Sequence, residues 1–137
     1  MARKMVSTKL FNRPSDYSPW SAAAIVAAGD SLLFTTGLTA RDLAGRIVGP
    51  DDVEVQTRRI FELLGGILEE SGSSLQDVVS MTVFLKDIED VAVVQAIRNE
   101  IWPSSPPVSS TTQAGRLVSD EIRIEIAAIA VINPRSQ

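Results

Sequence analysis

The chain has 137 residues, 45% apolar and 22% charged, the balance of one packed domain that buries about two-thirds of its unfolded surface. Its net charge is −4, its pI is about 4.8, and its basic residues are scattered, which argues against the basic groove of a nucleic-acid-binding protein. There is no cysteine and no histidine, so disulfides, thiol nucleophiles, the commonest general base and the commonest zinc ligand are all excluded, and neither metal nor cofactor is expected.

In chain order, residues 5–9 alternate weakly and predict a first strand. A loop with Asn12, Pro14, Ser15 and Asp16 follows, ending at Tyr17-Ser18-Pro19. Apolar runs at 21–28 and 31–36 flank Gly29-Asp30, a pair that predicts a hairpin turn. A short strand is expected at 46–48, between Gly45 and Gly49. Asp51 and Asp52 then offer a helix N-cap. Over 53–71 the residues Val55, Ile60, Leu63, Leu64, Ile67 and Leu68 recur at helical spacing, and Gly72 is the stop. Gly65-Gly66 inside that helix costs roughly 1 kcal/mol per glycine relative to alanine, which points to close packing on a neighbour. Residues 77–85 predict a strand and 89–101 a second helix ended by Pro103. Ser104-Ser105-Pro106-Pro107 is a loop, and 108–114 and 121–132 predict two strands joined by a turn around Leu117–Asp120. The expected architecture is α+β, one mixed sheet with two helices on one face, in a single domain covering 1–137.

The last strand carries a second inference. Ile122, Ile124, Ile126, Ala128, Ala130 and Ile132 make one apolar face, suited to lie under the helices. The other face starts with Arg123 and Glu125 and continues with Ala127, Ile129 and Val131. Two helices cover one face only, so an apolar patch on the other predicts a subunit interface. The residues after Met1 form no apolar stretch of signal-peptide type, and no segment approaches the roughly 20 apolar residues of a membrane span, so a cytoplasmic protein without a membrane partner is expected.

Several segments together resemble the Rid (RidA/YjgF, reactive-intermediate deaminase) family. Phe34-Thr35-Thr36-Gly37 is similar to its "FVSGQ" run, and Gln56 sits where the family also has glutamine. Gly72-Ser73-Ser74-Leu75-Gln76-Asp77-Val78-Val79 through Thr82-Val83-Phe84-Leu85-Lys86-Asp87 resembles its "GaslxDVVKxTVFLxD" signature. Pro107 through Leu117 is similar to "PARSTVxVARL", and Glu125-Ile126-Ala127-Ala128-Ile129-Ala130 to "EIEAIA". The match spans about residues 14 to 132. The resemblance implies a chorismate-mutase-like fold and a homotrimer whose sheets form a central β-barrel, with small-molecule clefts at the three interfaces. The family's best-known activity is hydrolysis of reactive imines and enamines to carbonyl compounds and ammonia, which positioning and charge complementarity can support without metal or cofactor.

Carried over by position, the resemblance makes Glu125 the catalytic acid/base, and Tyr17, Gly37 and Thr111 cleft residues. Ser109 stands where the family has the arginine that grips a substrate carboxylate, Gln95 where an asparagine often sits, and Leu38 where "SGQ" has glutamine. A bidentate carboxylate contact is worth a few kcal/mol, against one neutral hydrogen bond from serine. Arg13, Arg41 and Arg98 are the candidates to replace the missing cation. Arg116 matches the arginine of "ARL", which is not the catalytic one. Two functions follow: a divergent imine or enamine hydrolase, or a non-catalytic trimer that binds a small metabolite or a partner. Ribonuclease action, an older label for some members, is disfavoured by the acidic pI and the absence of histidine.

Overall fold

The computed structural model describes residues 3–8, 10 and 20–132. Tyr17, Arg13 and the loop around them, named above as site candidates, lie outside the described residues. The elements run β1 (Arg3–Val6), β2 (Ala23–Val26), β3 (Ser31–Phe34), α1 (Val53–Glu70), β4 (Val78–Leu85), α2 (Val91–Ile101), β5 (Val108–Gln113) and β6 (Ile124–Ile132), with 3-10 turns at Leu75–Asp77 and Ile88–Asp90.

The strands hydrogen-bond as two sheets rather than one. β3, β6, β4 and β5 lie in that order, with β4–β5 parallel and the other pairs antiparallel, while β1 and β2 form a separate antiparallel ribbon. The turn at Gly29-Asp30 forms, with the Asp30 amide donating to Ala27 O at 3.3 Å and Gly29 at φ 95, a value that favours glycine. The strands on either side do not pair with each other, however. β2 pairs with β1 and β3 with β6, so the expected hairpin is a corner between sheets. The strand expected at 46–48 reduces to one isolated bridge, Arg41 to Ile47, and the first strand begins at Arg3 rather than residue 5.

α1 begins as its sequence dictates. Asp52 caps it by accepting from the Val55 amide at 3.1 Å. It ends in a Schellman motif, with the Ser73 amide on Leu68 O and the Gly72 amide on Glu69 O, and Gly72 at φ 79. Its buried side chains are Gln56, Thr57, Ile60, Phe61, Leu64 and Leu68, so Val55, expected inside, is exposed. The close-packing explanation for the paired glycines fails: a Cβ on Gly65 would make ordinary contact with Leu75 at 3.6 Å, and one on Gly66 would meet nothing.

Both helices lie on the face of the four-stranded sheet made by Val78, Met81, Val83, Leu85, Ile124, Ile126, Ala128 and Ala130, the even-numbered row of β6 included. Phe61 and Trp102 meet edge-to-face at 5.6 Å, and the Trp102 indole donates to Leu75 O, which fixes the end of α2 against the turn before β4. The opposite face carries no helix. There Phe34 is 67% exposed and Leu32 45%, beside half-buried Ile129, Ala127 and Phe84.

Candidate functional site

Strand alternation sorts the predicted site residues into two groups on opposite faces. Glu125 pairs across the sheet with Phe84, and both point to the helix-free face. Ser109 pairs with Met81 and Thr111 with Val83; both partners are buried, so these two side chains point to the helix side. β5 is the sheet's edge strand, which leaves Ser109 and Thr111 half-buried.

The Glu125 group is closed by the chain after β3. Leu38 exchanges both backbone hydrogen bonds with Ile126, while Thr35 binds Ala128 through its amide and its hydroxyl. Thr36 and Gly37 bow out between these anchors and stay exposed. The Glu125 side chain runs against Gly37 so closely that a Cβ there would lie 2.5 Å from Oε2 and 2.8 Å from Cδ. Glycine at 37 is therefore a spatial requirement of the carboxylate's position. Arg123, two residues earlier on the same face, does not neutralise Glu125. Its guanidinium holds Asp90 at 2.6 and 3.1 Å and Asp51 at 3.3 Å, and these carboxylates raise its pKa above the ordinary arginine value, the Asp90 hydrogen bond most. None of the hydrogen bonds or ion pairs among the described residues involves the Glu125 carboxylate.

The Ser109 group contains the cation that its strand lacks. Arg98 of α2 is only 2% exposed, and its Nη1 donates to Ser109 Oγ at 2.9 Å. Burial holds this guanidinium below the usual arginine value, at about 10, so it stays charged at neutral pH. Gln95 lies half-buried one helical turn earlier on the same side of α2. Of the other arginines, Arg41 is committed to its own loop, with Nε on Thr39 Oγ1 and Nη1 on Gly45 O. Arg116 is exposed in the turn after β5. Ser21 donates its amide to Pro107 O and its hydroxyl to Pro106 O, tying the chain that enters β2 to the start of β5. Sequence reasoning had Arg98 only as one of three candidates, because the reach from α2 to β5 depends on helix placement that no motif encodes.

Two surface hollows lie elsewhere. One of about 580 Å³ is lined by Asp42, Leu43, Arg46, Val48, Arg59 and Glu62, and one of about 90 Å³ sits under the turn from Ala114 to Ile122 beside Lys86. Neither is lined by Gly37, Gln95, Ser109, Thr111 or Glu125. No group of three or more Asp and Glu residues that could hold a metal ion occurs among the described residues, and no described helix is long and apolar enough to cross a membrane.

The family model described as endoribonuclease L-PSP matches residues 11–132. The chain belongs to this family, the Rid/YjgF family. A RutC family protein of Pyrococcus abyssi is 34% identical over 130 residues, covering 95% of this chain and 98% of the relative. One from Synechocystis is 34% identical over 134 residues, covering 96% and 98%. Among solved structures, the Rid-family protein of unknown function YyfB from Yersinia pestis superposes with a TM-score of 0.86 at 23% identity, over 96% of this chain and 99% of that one. A second Yersinia pestis Rid protein, YyfA, gives 0.69 at 26% identity, over 96% and 100%. The α+β architecture with two helices is the Rid fold.

Proposed function

We propose that this Rid-family chain is a hydrolase of small reactive imines and enamines, working in clefts between the subunits of a homotrimer. The observation that carries this is the split of the site by strand alternation. Glu125 with Gly37 occupies the helix-free face, and Ser109 and Thr111 point to the other side at the β5 edge, where Arg98 of α2 binds Ser109 Oγ. One protomer cannot bring the two groups to a common substrate. A second copy whose β5 edge abuts the helix-free face can, and the apolar side chains there (Phe34, Leu32, Ile129) supply the contact.

In such a cleft water adds to the carbon of the C=N bond. Glu125 takes a proton from the water as it attacks and gives it to the nitrogen, forming a carbinolamine; it then moves the hydroxyl proton to the nitrogen as the C–N bond breaks, so imine and water become carbonyl compound and ammonia. Glu125 suits this because no cation among the described residues holds it in an ion pair. Tyr17, Ser109, Thr111 and Gln95 are assigned to substrate binding, with the backbone at Gly37 beside the carboxylate.

Imines generated in situ by an amino-acid oxidase test the reading. Wild-type protein should speed ammonia release over buffer, and Glu125→Gln should remove a factor of about 10²–10⁴ from that rate. Wild-type protein no faster than buffer would overturn the hydrolase reading and favour the alternative, a trimer that binds a small metabolite or a partner without turning it over.

A further inference from the structure

The chain that leaves β3 breaks the ladder it makes with β6. β3 pairs with β6 as far as Phe34 with Ile129, and Thr35 continues that register opposite Ala128, yet Leu38 faces Ile126. Thr36 and Gly37 therefore stand against Ala127 alone, two residues against one, which is the count of a β-bulge. An ordinary hydrogen-bonded antiparallel pair exchanges two amide-to-carbonyl bonds. Thr35 and Ala128 make one, from the Thr35 amide to Ala128 O at 2.9 Å, while the Ala128 amide turns to Thr35 Oγ1 at 3.0 Å. That hydroxyl donates its own proton to Thr36 O at 2.8 Å. One side chain thus takes the place of a backbone carbonyl in the ladder and pins the next carbonyl outside it. The peptide from Thr36 to Gly37 is planar and trans, so a fixed Thr36 oxygen fixes the plane from which Gly37 starts. Gly37 is the residue whose missing Cβ leaves room for the Glu125 carboxylate.

We propose that Thr35 is a positioning residue for Glu125, its hydroxyl holding the bulge in the shape that lets the carboxylate lie along Gly37. It touches no substrate and acts through that carboxylate, within the imine-hydrolase reading on which its effect on rate rests. Ala128 is only 3% exposed, so its amide needs a protein acceptor. Once the hydroxyl is removed, the Thr35 carbonyl is the acceptor that a regular ladder would offer. Taking it up turns the Thr35–Thr36 peptide and releases Thr36 O, which reorients the Gly37 backbone against which Glu125 packs. Gly37 supplies the space for the carboxylate, and Thr35 supplies the backbone shape that puts the space there.

The test compares Thr35→Val, which keeps the shape and loses the hydroxyl, with Thr35→Ser, which keeps the hydroxyl, on imines generated in situ by an amino-acid oxidase. Thr35→Val should lower kcat by roughly 10- to 100-fold, as displacing a reacting group by about 1 Å does, with KM within about threefold of wild type. Thr35→Ser should recover most of kcat. Thr35→Val added to Glu125→Gln should cost nothing further, because the two residues act in series. A merely structural staple would lower Tm and leave kcat alone, so an unchanged kcat in Thr35→Val overturns the proposal. If Thr35→Val does not fold, Thr35→Cys takes its place, a thiol being a weak donor and acceptor. Equal kcat in Thr35→Cys and Thr35→Ser then refutes the role of the hydroxyl. Carbon-13 NMR of the Glu125 carboxyl separates this idea from the hydrolase reading, because it needs no turnover. The resonance should move in the variant without the hydroxyl and stay in Thr35→Ser, which supports the proposal even in a protein that hydrolyses nothing. One resonance position shared by wild type and both variants refutes it, whatever becomes of the hydrolase reading.

Discussion

Gln56 offers a quantitative test of how the site-bearing strand is held. Its amide is fully buried on α1. It donates to Gly49 O at 2.9 Å and Glu121 O at 2.8 Å, while its carbonyl accepts from the Arg123 amide at 2.8 Å. One side chain thus ties the loop before α1 to the segment that starts β6, two residues ahead of Glu125. Gln56→Leu keeps the approximate volume and removes all three bonds. The carbonyls are not orphaned, since Gly49 O also accepts from the Asp52 amide and Glu121 O from the Asp51 amide. Each lost bond there costs about 1 kcal/mol. The Arg123 amide loses the acceptor that Gln56 provides, which costs about 2 kcal/mol. Better burial of leucine returns about 1 kcal/mol. The net loss is about 3 kcal/mol, or roughly 10 °C in Tm for a domain of this size. Urea and thermal unfolding measure it, and hydrogen exchange at the Arg123 amide should accelerate. A variant within about 1 kcal/mol of wild type would refute the reasoning, because the amide would then be a passenger in the core rather than its lock.

Three further outcomes are expected. Gly37→Ala places a Cβ 2.5 Å from Glu125 Oε2, and the flexible carboxylate must give way; Tm should change little, by the cost of an altered rotamer of about 1 kcal/mol, while imine hydrolysis falls about 100-fold. Retained activity would separate the carboxylate's position from its function. Phe34→Glu puts a charge on the helix-free face, so sedimentation should move from three times the 14.8 kDa protomer mass toward one, with helical circular dichroism kept; an unchanged assembly would place the interface elsewhere. Asp51 is held below the usual carboxylate range first by the Arg123 hydrogen bond and then by the Lys86 charge. A depressed carboxylate stabilises the fold above its unfolded pKa and loses that contribution as pH falls. The Tm difference between wild type and Asp51→Asn should therefore be small at pH 7, because the pair is exposed, and should vanish in acid; a difference that grows on acidification would contradict the assignment.

What could be read from the sequence, and what could not, follows from the range of the physics involved. α1, β4, α2 and β6 are long enough for periodicity to identify them, and the two-faced pattern of β6 holds in its burial from Ile124 to Ala130, while Val131, expected on the uncovered face, is buried. Pairing is different. Gly29 correctly marks a turn, but whether β2 and β3 then pair depends on β1 and β6, many residues away. The resemblance singled out Gln56, but its burial was hidden because hydropathy favours Val55 as the inward residue, whereas three backbone groups at the α1 and β6 entries select an amide. The family motif brings Glu125, Gly37, Ser109 and Thr111 to attention as types. It does not say that the first pair and the second face opposite ways.

That opposition constrains any mechanism for the chain. Successive residues of a strand alternate, and the registers fix Glu125 with Phe84 and Ser109 with Met81, so a one-residue slip would be needed to bring them to one side. Such a slip of β5 would turn Ser109 to the other face and break its hydrogen bond to the buried Arg98. The route that remains is assembly. The edge position of β5 and the bare apolar face beside Glu125 are each a liability in isolation, an unpaired strand edge and an exposed patch. Apposed between copies, as proposed, they would cover one another and set the Glu125 carboxylate across from the Ser109 hydroxyl that Arg98 holds. Assembly and catalysis would then share one interface, so Phe34→Glu, which touches no substrate group, should abolish hydrolysis as completely as Glu125→Gln does.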